Sequence, residues 1–261
     1  MLSWPLLWTL TGIGLAGSFL SGLLGVGGAA FIVPMLLYVP PLFGTGQLDI
    51  RMATGMSIVL VFVSAASSGF AHRHRSLACP GIARVLAPAT AIGSLAGGLL
   101  SGTVPAIWLS GLFGTLALVA GLMLFLPRPR GGDELAPGTS VTFPLIPGVL
   151  ISLCVGFFAG LVGAGGAFML VPLMIYVLGI PTRITVASAP VVVLVSALAG
   201  LVGKVFADQV PWTLSAFLVI GALPGAWVGA WFSERLSASH LRYVLGVLTT
   251  GLAIRVWVDL M

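Results

Sequence analysis

Apolar residues occur along this chain in long unbroken blocks rather than in amphipathic stripes. The blocks fall at roughly 5–24, 29–40, 52–71, 80–101 and 105–127, and resume at roughly 142–162, 167–180, 184–206, 212–233 and 240–260. A helix needs about 20 apolar residues to cross a bilayer. All but the second block of each group of five reach that length. The pattern predicts an all-α polytopic membrane protein of ten segments, the second of each five being a short or broken helix. Between the groups lies "RPRGGDELAPGTS", the longest polar run. The expected organisation is a first membrane repeat over 1–127, a cytoplasmic linker over 128–140 and a second repeat over 141–261.

The two halves are related in sequence. Residues 21–39 and 159–177 are identical at ten of nineteen positions when offset by 138, including Gly22/Gly160, Gly25/Gly163, Gly27/Gly165, Gly28/Gly166, Pro34/Pro172 and Tyr38/Tyr176. From the third segment on the offset is 132. It pairs Arg51 with Arg183, Ser64 with Ser196, Gly93 with Gly225, Gly97 with Gly229, Ser101 with Ser233 and Gly114 with Gly246. A match of this extent is an internal duplication. Five segments per half is an odd number, so the second copy is expected to enter the membrane from the opposite side, as inverted-topology repeats do.

Charge gives the orientation. "HRHR" (72–75), "RPR" (128–130), Arg183, Arg235 and Arg242 share one side, whereas Arg51, Lys204, Asp49, Asp208 and Asp259 share the other. The positive-inside rule places the first group in the cytoplasm and both termini outside, in a cell (inner) membrane. Lys204, near the outer end of the eighth segment, is expected to snorkel to the interface. Composition agrees with membrane residence: 59% of residues are hydrophobic and 7% charged, against about a quarter charged in soluble domains. The net charge of +5 is spread over short loops and implies no nucleic-acid face. "MLSWPLLWTL" has no basic n-region and reads as a first membrane segment, not a removed signal peptide. Cys79 and Cys154 occupy non-equivalent places and are expected to be small packing residues. There is no metal-ligand spacing, no phosphate-binding loop and no cofactor motif, and the reading names no catalytic residue.

Candidate chemistry centres on "GLLGVGGAAFIVP" (22–34) and "GLVGAGGAFMLVP" (160–172). Stripes of glycine spaced four apart, as in "GSLAGGLLSG" (93–102) and "GAWVGAWFS" (225–233), serve close helix packing. The glycines of the two paired stretches are instead adjacent, with a proline six residues on. They predict a helix broken near mid-membrane, where irregular backbone is tolerated only inside protein or at a cavity. The short helix after each break would offer unpaired N–H groups and a positive dipole end. Gly25, Gly27, Gly28 and Ala29 in one copy, and Gly163, Gly165, Gly166 and Ala167 in the other, are thus the candidate substrate-binding backbone for a small anion. Thr54, Ser57 and Ser188 lie one to two turns inside the third segments and are candidate hydroxyl donors, unless they bond their own helix carbonyls. Arg51 and Arg183 start those segments as interfacial anchors, with an access gate for an anion as the sharper alternative. No acidic residue is placed mid-membrane, which favours an anionic over a cationic substrate.

The duplicated glycine stretch before a proline, the "ATGMS" start of the third segment and the five-segment halves resemble the sulfite exporter TauE/SafE family, in the 4-toluene sulfonate uptake permease group. The resemblance covers essentially the whole chain. It implies a transporter, not an enzyme, that exports a sulfur-containing or organic anion such as sulfite, a sulfonate or sulfoacetate, with protons as the coupling ion. The glycine motif of the family falls on Gly25, Gly27 and Gly28 and on Gly163, Gly165 and Gly166. Its usual Gly-Thr-Ser reads Gly55-Met56-Ser57 in the first half and Ala187-Ser188-Ala189 in the second. The expected partners are the small anion, the lipid bilayer and protons. An anion channel of the same architecture is the alternative, with an integral-membrane enzyme a distant third.

Overall fold

The computed structural model describes residues 4–24, 29–72, 80–125, 144–233 and 238–260. Gly25, Gly27 and Gly28, Cys79, Arg235, the 128–140 linker and most of "HRHR" lie outside the described residues. In hydrocarbon only a helix satisfies its own backbone, so apolar blocks of this length fold as helices. Ten are described: α1 (Trp4–Leu24), α2 (Ala29–Leu42), α3 (Ile50–His72), α4 (Pro80–Leu100), α5 (Ala106–Phe125), α6 (Leu145–Val162), α7 (Ala167–Tyr176), α8 (Thr182–Phe206), α9 (Trp212–Ser233) and α10 (Ala238–Leu260). Within α3, α4, α5, α6, α8 and α9 are stretches long and apolar enough to cross a membrane. The protein is an all-helical, multi-pass membrane protein.

Large apolar side chains cover the outside of the bundle. Trp227 is 78% exposed, Ile146 75% and Trp108 71%, a surface suited to lipid and costly in water. Cys154, expected to pack inside, is exposed on α6, because that face of the helix looks outward with Leu150 and Leu153. The interior holds Leu10, Ile13, Ile32, Leu36, Met56, Leu60, Phe113, Val192 and Ala197 in one continuous core.

Helix pairing repeats when the halves are exchanged. α1 packs along α9 and α6 along α4; α3 meets α8, and α5 meets α10. The first two contacts are made through glycine. A Cβ at Gly93 would strike the carbonyl oxygen of Leu153, and one at Gly97 that of Phe157. The paired residues Gly225 and Gly229 stand in the same way against the carbonyls of Leu15 and Phe19. These are close backbone approaches of the small-residue kind anticipated for the two stripes. Contacts advance together along α4 and α6, so those helices run parallel. Between α3 and α8 they run oppositely: Thr54 meets Lys204, and Ile58 meets Gly200. The two helices are antiparallel.

α7 stops at Tyr176, four residues short of the apolar block. Gly179, at φ +65°, turns the chain before Pro181 begins the approach to α8, and a left-handed glycine followed by proline ends a helix.

Candidate functional site

The second glycine stretch is a built break between two helices. α6 ends in a Schellman motif: Gly163, at φ 70° and ψ 22°, donates to Gly160 O, and Ala164 N–H donates to Ala159 O. Gly165 and Gly166 then take φ +60° and +80°. Three left-handed residues within four cost an L side chain about 1–2 kcal/mol each, so only glycine enters them freely. Gly166 is the N-cap of α7 and contributes no side-chain cap. The N–H groups of Gly163 and Ala164 are spent on α6 and that of Met169 on Gly166 O at 3.2 Å, so the N–H groups open to a ligand run from Gly165 to Phe168, across the break and the start of α7. Residues 159–166 are all buried.

Two helix faces enclose the break. On α3, the carbonyl of Thr54 abuts Gly163, and Val61 abuts Gly165. Val61 is halfway along α3, which sets the break near the middle of the bundle. Ser57 lies between them at helical spacing, on the same stripe. On α8, Ala197 stands at 3.5 Å and Ser196 Oγ at 3.9 Å from where Cβ atoms of Gly165 and Gly166 would be.

The hydroxyls divide. Thr54 is fully buried, and its Oγ1 donates to Arg51 O at 3.0 Å. Its proton is therefore committed to its own helix, and it faces the site as an acceptor, not as the donor expected. Ser57 is equally buried, but its Oγ has no partner among the described residues. Ser188, expected to serve one site with both glycine stretches, is buried two turns before Ser196, away from this break; Gly25, Gly27 and Gly28 are outside the described residues. Ala29 and Ala167 are the first residues of α2 and α7. Arg51 is half-buried in the first turn of α3 and donates from Nη2 to Val104 O at 2.9 Å. Arg183 stands at the corresponding place in α8, its side chain outside what is described.

Lys204 does not snorkel. It is fully buried, and its Nζ donates to Thr54 Oγ1 at 3.0 Å, to Leu161 O at 3.1 Å and to Gln209 Oε1 at 2.9 Å. The reason is the turn after α8. Asp208, at φ 53°, reverses the chain, and Gln209 N–H donates back to Lys204 O at 3.1 Å, folding the Gln209 side chain over the lysine. Three acceptors match the three donors of an ammonium group, and all three are neutral. Lys204 therefore ties α8 to α3 and to the last turn of α6, two residues before the break begins at Gly163. Ser101 Oγ lies 2.6 Å from Gly98 O and 2.9 Å from Gln209 Oε1, and its single proton serves one of them at a time.

Sequence reasoning missed Lys204, Gln209 and Ser196. A lysine preceded by apolar residues in a span is a functional signal by itself, and Ser196 was visible as the pair of Ser64. Among the described residues no group of His, Cys, Asp and Glu could hold a metal ion. The described carboxylates lie toward helix ends: Asp49 before α3, Asp208 in the turn after α8 and Asp259 at the end of α10.

A family model described as Sulfite exporter TauE/SafE matches residues 10–256. A "probable membrane transporter protein" of Xylella fastidiosa strain Temecula1 is 29% identical over 93% of this chain and 91% of its own length. The Bacillus subtilis strain 168 protein YunE, also named a probable membrane transporter, is 24% identical over 90% of this chain and 91% of its own. A probable membrane transporter of Methanocaldococcus jannaschii is 22% identical over 89% and 88%. No solved structure matches the chain.

Proposed function

Because the chain belongs to the sulfite exporter TauE/SafE family of membrane transporters, we propose that it is a secondary carrier of a small sulfur-containing or organic anion. Sulfite, a sulfonate or sulfoacetate fits the description, exported across the inner membrane by alternating access with protons as the coupling ion. The observation that carries the reading is Lys204: a buried cation bonded among the described residues only to neutral oxygens, one of them Leu161 O, two residues before the break at Gly163. A buried charge costs several kcal/mol unless paired, so this site gains most from an incoming anion. The N–H groups from Gly165 into α7 and the unpartnered Ser57 hydroxyl supply further donors beside it.

Two features support halves of opposite orientation. α3 and α8 are equivalent in the duplication and antiparallel in the fold, whereas the non-equivalent α4 and α6 are parallel. Segments of one sequence entering from opposite faces give that combination. By the duplication, Gly25, Gly27, Gly28 and Ala29 are the proposed counterpart of this substrate-binding backbone, with Ser188 as a proposed hydroxyl donor and Arg51 and Arg183 as proposed access gates. The positive-inside rule then sets both termini outside.

Labelled sulfite and sulfoacetate offered to proteoliposomes test the reading. Uptake should saturate, and Gly166→Leu should abolish it, because the N-cap at φ +80° has a side chain only 3.3 Å from any added Cβ. Unchanged uptake in Gly166→Leu sinks the site assignment.

A further inference from the structure

A pocket of about 400 Å³ opens where α3 begins and α8 ends, lined by Asp49, Arg51, Met52, Asp208 and Gln209 among others. Its charges are sorted by depth. Asp49 and Asp208 are exposed to solvent at the rim, where water and salt screen them. Gln209 is only 7% exposed, and both its Nε2 and the Nε of Arg51 are buried with no hydrogen-bond partner among the described residues. Nε2 and Nε are donors only, and an unmet buried donor carries a cost. Neither can be satisfied by turning the amide over, because Gln209 Oε1 already accepts from Lys204, and the flipped amide would set a donor against the ammonium. The guanidinium is likewise pinned through Val104. The wall of this pocket thus holds two fixed, idle donors with a buried cation directly behind one of them.

We propose that the pocket is an anion-binding antechamber and that Gln209 is the gate between it and Lys204. An oxyanion with at least two free oxygens, a sulfonate or carboxylate head, accepts from Arg51 Nε and Gln209 Nε2. When the Gln209 side chain withdraws, an anion oxygen replaces Oε1 as the third acceptor of Lys204. The other two acceptors, Thr54 Oγ1 and Leu161 O, stay on the helix framework and keep the ammonium in place. The gate is the one ligand of Lys204 that sits in an interhelical turn rather than in a helix. That the antechamber serves a transport site rests on the carrier reading above. Its existence as an anion site does not.

The test uses purified full-length protein freed of native thiols by Cys79→Ser and Cys154→Ser, with Gln209→Cys as the reporter. Labelling is timed with an anionic and a cationic methanethiosulfonate reagent, each normalised to its rate with a free thiol. Met52→Cys, on the same pocket but outside the hydrogen-bond network, is the second reporter should Gln209→Cys fail to fold. The expected result is an anionic preference of about tenfold between the two reagent charges, the size of effect one fixed charge exerts at about 6 Å through water, at a dielectric near 80. Sulfoacetate should slow the labelling, and adding Lys204→Met should reduce the preference. Equal rates, a cationic preference set by Asp49 and Asp208, an unreactive thiol, or a preference indifferent to Lys204→Met each overturns the proposal. Labelling needs no transport. An anionic preference in a protein without flux would refute the carrier reading and keep the antechamber; flux without preference would do the reverse.

Discussion

Replacing Lys204 by methionine separates a structural lysine from a functional one. Methionine fills a similar volume without charge or donors. The buried ammonium costs several kcal/mol in desolvation even after relaxation, and its three charge-assisted hydrogen bonds return roughly 1.5–3 kcal/mol each. The two amounts are of similar size. After the substitution, Gln209 Oε1 keeps Ser101 as a donor, and Thr54 Oγ1 keeps its own bond to Arg51 O. Leu161 O alone is orphaned, at about 1–3 kcal/mol, and relief of the buried charge offsets it. Net stability should stay within about 2 kcal/mol of the parent, a melting shift of roughly 4–8 °C at most at 2–4 °C per kcal/mol for domains somewhat shorter than this one. Anion capture should suffer far more. A unit charge at 4 Å and an effective dielectric of 20 contributes about 4 kcal/mol, so apparent affinity should fall on the order of a hundredfold to a thousandfold. Thermal melts in detergent and flux in proteoliposomes read the two effects on one preparation. A melting temperature lower by more than about 10 °C (over 2 kcal/mol on the same scale), or flux like the parent's, would refute the reasoning.

Two further outcomes follow from the packing and one from the charge distribution. Gly97→Ala, whose Cβ meets Phe157 O, should destabilise by about 1–3 kcal/mol, whereas Gly12→Ala, with nothing within 4 Å, should be neutral or stabilise by up to about 1 kcal/mol; comparative melts decide. Gly165→Ala should lower both melting temperature and flux, through its φ of +60° and the Val61 side chain, and adding Val61→Ala should recover only the steric share, leaving about 1–2 kcal/mol for the backbone. An epitope inserted in the 128–140 linker should be reached by antibody only after the membrane is permeabilised, as the positive-inside rule requires.

The elements were legible because in a bilayer apolar length and helix are nearly one statement. The block at 184–206 became α8 over Thr182–Phe206, and 212–233 became α9 without change. The second break was legible too, since adjacent glycines before a proline serve a left-handed turn better than a packing stripe. What escaped was decided by tertiary contact. Lys204 sits where snorkelling is the usual outcome, and nothing in "LVGKVF" reports that Asp208 will reverse the chain and lay Gln209 across it. Thr54 likewise looked like a donor. Only the position of Lys204 shows that its lone pair, not its proton, faces the site.

The central claim is an anion carrier that alternates access, and exchange across the membrane tests it most directly. Proteoliposomes preloaded with unlabelled sulfoacetate are compared with empty ones for initial uptake of labelled sulfoacetate. Acceleration by the internal anion, lost in Gly166→Leu and in Lys204→Met, is the predicted result. Uptake indifferent to internal anion and rising without saturation would mark a channel, and no uptake of any sulfonate, sulfite or carboxylate tested would contradict the account outright.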